Sequence, residues 1–149
     1  SLDIAWAPDG SGLVFTASAN ADAAAYAMTS TGLYWLPLAG GEPKRITPDT
    51  HSCSQATFAP DGSTLLAACD QLTEFVYNHT RLASLGWPAG NNFRVLTADF
   101  DRSVGSFGIS GDNRTVWMLA EEEGNEKLFS IPVAGGKVSK ASDLRDGVY

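Results

Sequence analysis

The stretch Phe58-Ala59-Pro60-Asp61-Gly62-Ser63, followed by the apolar run Leu65-Leu66-Ala67-Ala68, constrains this chain more than any other. Proline presets φ for the first corner of a turn, Asp61 can bond its own backbone, and Gly62 can take the left-handed position that closes a short hairpin loop. The pattern stands earlier as Trp6-Ala7-Pro8-Asp9-Gly10-Ser11 before Leu13-Val14-Phe15. It stands again as Ile109-Ser110-Gly111-Asp112-Asn113-Arg114 before Val116-Trp117-Met118-Leu119. In the third copy Asn113 replaces glycine, and asparagine tolerates the left-handed position. Three hairpins at a near-constant spacing describe a repeat protein.

Each repeat reads as four strands. In the first, strands over 2–6 and 13–16 flank the Pro8-Asp9-Gly10 turn. The run Leu33-Tyr34-Trp35-Leu36-Pro37-Leu38 then returns through Gly40-Gly41 into Lys44-Arg45-Ile46-Thr47. The second repeat follows the same order, with Leu82-Ala83-Ser84-Leu85-Gly86-Trp87 as its third strand. In the third, Glu121-Glu122-Glu123-Gly124-Asn125 forms a hairpin tip before Leu128-Phe129-Ser130-Ile131-Pro132-Val133. Pro8 and Pro60 stand 52 positions apart, and Pro60 and Gly111 stand 51, near the ~50 residues of the longer propeller repeats. The second strand of each repeat is apolar on both faces, which requires burial on two sides. Radial packing of one blade between two others supplies that burial.

The expectation is therefore an all-β fold, a β-propeller of about three four-stranded blades. Its boundaries fall at about 1–47, 48–97 and 98–142, with 143–149 beginning a next blade and insertions over 18–31 and 70–80. Trp6, Phe15, Trp35, Phe58 and Trp117 are expected in the core between blades. Propellers have 4 to 8 blades, so this partial propeller is expected either to belong to a larger protein or to self-associate through its open blade faces.

A formal net charge of −7, from 10 Lys and Arg against 17 Asp and Glu, has the wrong sign for a phosphate-binding surface and argues against nucleic acid. No apolar run reaches the ~18 residues of a membrane span, so no membrane partner is expected, and Ser1-Leu2-Asp3 lacks the regions of a signal peptide. Pairing Phe58 with Thr64 around the turn sets Cys53 directly opposite Cys69, within reach of a disulfide. Two small buried thiols are the alternative. A disulfide argues for an oxidising compartment, so a periplasmic or secreted location is expected, with the cytoplasm as the alternative.

The repeated Ala-Pro-Asp-Gly-Ser turns, each with an apolar strand after it, resemble the propeller repeats of TolB-like proteins and of the prolyl oligopeptidase family of serine peptidases. The run Leu96-Thr97-Ala98-Asp99-Phe100-Asp101-Arg102-Ser103-Val104-Gly105-Ser106-Phe107, with Ala120-Glu121-Glu122-Glu123-Gly124, is similar to the propellers of bacterial dipeptidyl-peptidase and acylaminoacyl-peptidase members. That resemblance implies a parent enzyme whose propeller sits over an α/β-hydrolase domain and limits access of peptide substrates to its Ser-Asp-His triad. It also implies that propeller carboxylates hold a peptide's amino terminus. Glu121, Glu122, Asp101 and Arg102 are the candidate substrate-binding residues, on the longer connections where binding residues concentrate. A solvated acidic turn is the other reading of Glu121-Glu122. Alternatively, the chain is half of a TolB-like interaction propeller that dimerises into a closed ring.

No catalytic residue, cofactor or metal site is expected within the chain. Gly108-Ile109-Ser110-Gly111-Asp112 falls short of the Gly-x-Ser-x-Gly elbow and lies in a hairpin. His51 and His79 are expected in loops without triad spacing. Asp99, Asp101 and Ser103 match the first odd positions of a calcium loop, but Val104 and Ser110 stand where that loop needs glycine and glutamate.

Overall fold

The structure, a computed structural model, describes residues 3–18, 29–74 and 78–141. Most of the expected 18–31 insertion and all of 143–149 lie outside the described residues. The described strands form three four-stranded antiparallel sheets, each a meander in chain order. Blade 1 holds β1 (Ile4–Trp6), β2 (Gly12–Ser18), β3 (Thr31–Pro37) and β4 (Lys44–Arg45). Blade 2 holds β5 (His51–Phe58), β6 (Thr64–Gln71), β7 (Arg81–Gly86) and β8 (Asn91–Val95). Blade 3 holds β9 (Val104–Ile109), β10 (Thr115–Glu122), β11 (Asn125–Pro132) and β12 (Ser139–Lys140).

The three first hairpins are built alike. Gly10 N, Gly62 N and Asn113 N each donate to the carbonyl three residues earlier, on Ala7, Ala59 and Ser110. Gly62 sits at φ 71° and Asn113 at 59°, the left-handed position the sequence pattern requires. The turn aspartates fasten the corner, because Asp61 Oδ1 accepts from Ser63 N at 2.9 Å and from its hydroxyl at 2.8 Å. Asp9 does the same with Ser11. At the far end of each blade one further bond recurs. Leu38 N donates to Ser11 O, Trp87 N to Ser63 O and Val133 N to Arg114 O. That recurrence aligns Trp35 of blade 1 with Ser84 of blade 2 and Ser130 of blade 3.

Side chains alternate across each strand, so every blade has two faces. Val14, Leu33, Trp35 and Ile46 leave blade 1 to pack on Leu65, Ala67, Ala83 and Leu85 of blade 2. From the other face of blade 2, Leu66, Leu82 and Leu96 pack on Val116, Met118, Phe129 and Ile131 of blade 3. The middle blade is buried on both faces, as the continuous apolar run of β6 demands: Leu65, Leu66, Ala67, Ala68 and Cys69 are all buried. Full burial of each of the two leucines contributes about 1.5–3 kcal/mol.

The two faces divide the aromatic residues differently from the sequence expectation. Trp35 and Phe58 do fill the seam between blades 1 and 2, where Trp87 meets both edge-on with ring centres 4.7 and 5.1 Å away. Trp6 is 60% exposed and Trp117 is 42% exposed. Trp6 belongs to the face of blade 1 turned away from blade 2, together with Ile4, Leu13, Phe15, Tyr34 and Leu36. Trp117 aligns with Leu66 and so lies on the face of blade 3 turned away from blade 2. Phe15 is half-buried on the outer face of blade 1, stacked on Tyr34.

Cys53 and Cys69 are joined by a disulfide, both 1% exposed, with Cα atoms 4.1 Å apart. The register that brings them together is not the one read from the turn. Phe58 pairs with Leu65 rather than Thr64, which by itself would set Cys53 against Asp70. A bulge between Ser54 and Thr57 then places one extra residue on β5 and restores the Cys53 to Cys69 pairing. Two further expectations are corrected. His51 opens β5 rather than lying in a loop. The acidic stretch of blade 3 is mostly strand, since β10 runs through Glu122 and only Glu123 and Gly124, at φ 53° and 76°, form the turn.

Candidate functional site

The connections between the second and third strands of a blade, and those from one blade to the next, share one end of the stack. There Asp101 and Arg102, on the loop entering β9, meet Glu122 at the end of β10. Arg102 binds Asp101 Oδ1 at 2.8 Å and Glu122 Oε1 at 3.0 Å, while Lys140 of β12 pairs with Glu122 Oε2. The guanidinium also lies over the rings of Phe100 and Phe129, 5.9 and 6.0 Å from their centres, a favourable placement for a cation. The Lys140 ammonium holds the Glu122 carboxyl below its usual range, with the charges of Arg102 and Lys127 acting in the same direction.

Of the four sequence candidates, Asp101, Arg102 and Glu122 therefore meet in one ion-paired patch. Glu121 does not join them. It points to the opposite face of β10, exposed and cross-strand from Glu126. The patch can present charge to a ligand, and it contains no nucleophile or paired acid and base aimed at a common point.

The remaining chemistry-bearing groups are engaged structurally. Ser110 donates its hydroxyl to Asp112 Oδ1 at 2.5 Å and its oxygen accepts from Thr115 N at 3.0 Å, which ties it into the hairpin. Asp112 is held below the usual carboxylate range by that Ser110 bond first and by the Arg114 N–H next. His51 packs its ring on Phe93, and burial pushes its pKa down. Ser103 Oγ accepts from Thr80 N at 3.1 Å, tying the calcium-like loop to blade 2.

At the opposite end of the stack, where the two short hairpin turns of each blade lie, an open cleft of about 680 Å³ separates blade 2 from blade 3. Ser84 and Leu85 line it from blade 2, Arg114 and Val133 from blade 3, and Arg94 at its rim crosses the seam to donate to Ala134 O at 2.7 Å. No sequence motif marks this cleft. Its signal is a difference between repeats, because Ser84 stands where blade 1 has Trp35.

No known family profile matches the chain, and no curated protein matches it in sequence. Solved structures do. A structure described as TolB from Agrobacterium tumefaciens superposes with a TM-score of 0.71 at 19% identity, covering 95% of this chain and 46% of that one. The β-propeller domain of the Trilobed protease from Pyrococcus furiosus gives 0.69 at 15% identity, with 97% and 42% covered. The tricorn protease gives 0.66 at 11% identity, with 89% and 14% covered. The chain spans less than half the length of each of these proteins. Likeness at such identity carries the fold, and together with the three stacked meanders it identifies the chain as a partial β-propeller of three blades, similar to those of TolB and of protease propeller domains.

Proposed function

We propose that this chain is a non-catalytic propeller segment of a serine peptidase, whose role is to admit and position peptide substrates for an α/β-hydrolase domain of the parent protein. The observation that carries this reading is the outer face of blade 1. Trp6, Leu13 and Phe15 occupy the positions that Phe58, Leu65 and Ala67 fill in blade 2 against blade 1, so the face has the chemistry of one that receives another blade. A closed ring of such blades surrounds a channel of limited width, which suits selection of short peptides. In this reading the patch of Asp101, Arg102 and Glu122 contacts the peptide's amino terminus, and Glu121, on the opposite face of β10, takes no part. The buried Cys53–Cys69 disulfide supports an oxidising location, periplasmic or extracellular. The test is to isolate the native polypeptide with an antibody against this chain and treat it with a fluorophosphonate probe. A labelled polypeptide well above 15.7 kDa is expected, and an unlabelled one overturns the peptidase assignment.

A second reading rests on the other open face. Trp117 and Leu128 of blade 3 hold the positions from which Val14 and Leu33 of blade 1 reach blade 2. Two copies would then meet head to tail, blade 3 on blade 1, and close a six-bladed interaction ring. Light scattering of the purified chain at micromolar concentration decides this, since a monomer at all concentrations excludes it.

A further inference from the structure

The seam between blades 1 and 2 is filled at its turn-bearing end, whereas the matching seam between blades 2 and 3 is open. In the first, Trp35 of blade 1 packs on Trp87 and lies so close over Gly12 that a Cβ there would overlap the indole and the Leu36 carbonyl. In the second, the residues aligned with Trp35, Trp87 and Phe58 are Ser84, Val133 and Ile109, and Thr64 replaces Gly12. The large ring and the glycine that accommodates it are exchanged together, so the opening is built into the pair. Ser84 is 6% exposed and lines the cleft.

The cleft's electrostatics name the ligand. Although the chain carries a net charge of −7, no acidic side chain is among the lining residues, while Arg94 and Arg114 both are. Arg94 uses one amino group on Ala134 O and has no other acceptor among the described residues. Arg114 makes no side-chain hydrogen bond there, although its charge also reaches Asp112. Val133 gives the blade 3 wall an apolar side chain. We propose that this cleft binds a peptide carboxylate, with the anion at the two guanidinium groups, an adjacent apolar side chain on Val133, and a polar backbone atom on Ser84. The net negative field of the chain opposes a dianion about twice as strongly as a monoanion, which favours a carboxylate over phosphate. The site needs no hydrolase domain and stands whether or not the gating reading holds.

The test is fluorescence polarisation on the full chain with a fluorescein-labelled tetrapeptide ending in leucine, used as the free acid and as the C-terminal amide. An amidated peptide with a terminal glutamate distinguishes a side-chain carboxylate from a C-terminal one. Binding of either carboxylate form at least tenfold tighter than the leucine amide supports the proposal, and their ratio names the source. Arg94→Gln and Arg114→Gln, both at exposed positions, are each expected to weaken binding about tenfold. The double variant Ser84→Trp, Thr64→Gly, which supplies the glycine that the ring needs, is expected to abolish it with an unchanged circular dichroism spectrum; should that variant fail to fold, the arginine variants decide. Equal affinity for acid and amide, binding of neither carboxylate form, or displacement by inorganic phosphate beyond that by chloride of equal ionic strength overturns it.

Discussion

Asp3 Oδ2 of blade 1 lies 2.6 Å from the backbone nitrogen of Gln55 in blade 2, and Thr16 donates its hydroxyl to the same oxygen at 2.6 Å. Gln55 is the bulged residue of β5, held at φ 56°. One carboxylate from the neighbouring blade thus satisfies the backbone group that the bulge removes from the ladder, and that bulge is what aligns Cys53 with Cys69. Replacing Asp3 by alanine is expected to destabilise the chain by about 1–2 kcal/mol through the loss of two hydrogen bonds to a charged carboxylate. Gln55→Gly is expected to stabilise it by up to about 1 kcal/mol, because glycine enters the left-handed region without a Cβ penalty. Urea midpoints of the two variants against the parent check both signs.

The disulfide closes a loop of 16 residues, for which chain-entropy arguments give about 3 kcal/mol. The double variant Cys53→Ala, Cys69→Ala is expected to lose about that amount in urea unfolding. Because both cysteines are buried, the unmodified protein is expected to resist reduction by dithiothreitol in native buffer and to yield to it near its urea midpoint. Rapid reduction in native buffer would contradict the burial.

Acid should unfold the hairpins. The Ser11 hydroxyl and N–H lower the pKa of Asp9, the Ser63 N–H and hydroxyl that of Asp61, and the Ser110 hydroxyl that of Asp112. A carboxyl with a depressed folded-state pKa contributes stability above its unfolded value of about 3.9 and loses it as pH falls through the folded value. His51 acts earlier. Its folded-state pKa is depressed by burial, so the unfolded state binds its proton more tightly, and stability declines as pH falls below about 6.5. Melting temperatures should therefore dip modestly between pH 7 and 5.5 and fall steeply below pH 4. His51→Phe should remove the first dip, and Asp61→Asn should shallow the second.

The two faces of blade 1 predict unequal tryptophans. Trp35→Ala removes a ring packed on Trp87 and is expected to cost about 2–3 kcal/mol. Trp6→Ala, at a position 60% exposed, should change stability by less than about 0.5 kcal/mol in the monomer. A large loss for Trp6→Ala that grows with protein concentration would instead reveal a partner on that face, which chemical denaturation at two concentrations can read.

By itself the sequence determined the local architecture: three Pro-Asp-Gly or Gly-Asp-Asn hairpins, strands on either side, and a spacing that stacks them as blades. Turns and strands are decided within a few residues, by φ preferences and side-chain bonds such as Asp61 to Ser63, so they can be read without tertiary information. The Cys53–Cys69 pairing was legible only because a one-residue shift at the turn and the Gln55 bulge cancel. That bulge depends on Asp3, some fifty residues away. The division of the aromatics into half-buried Trp35 and exposed Trp6 was decided by the tertiary structure, since alternation along a strand defines two faces without saying which has a neighbour. The Asp101, Arg102 and Glu122 patch was foreseen as a region, and only the fold turned Glu121 away from it by the same alternation. The cleft at Ser84 was written in the sequence as a Trp to Ser difference between repeats. Its meaning appeared once the recurring cross-strand bonds set Trp35 and Ser84 at the same position in successive seams.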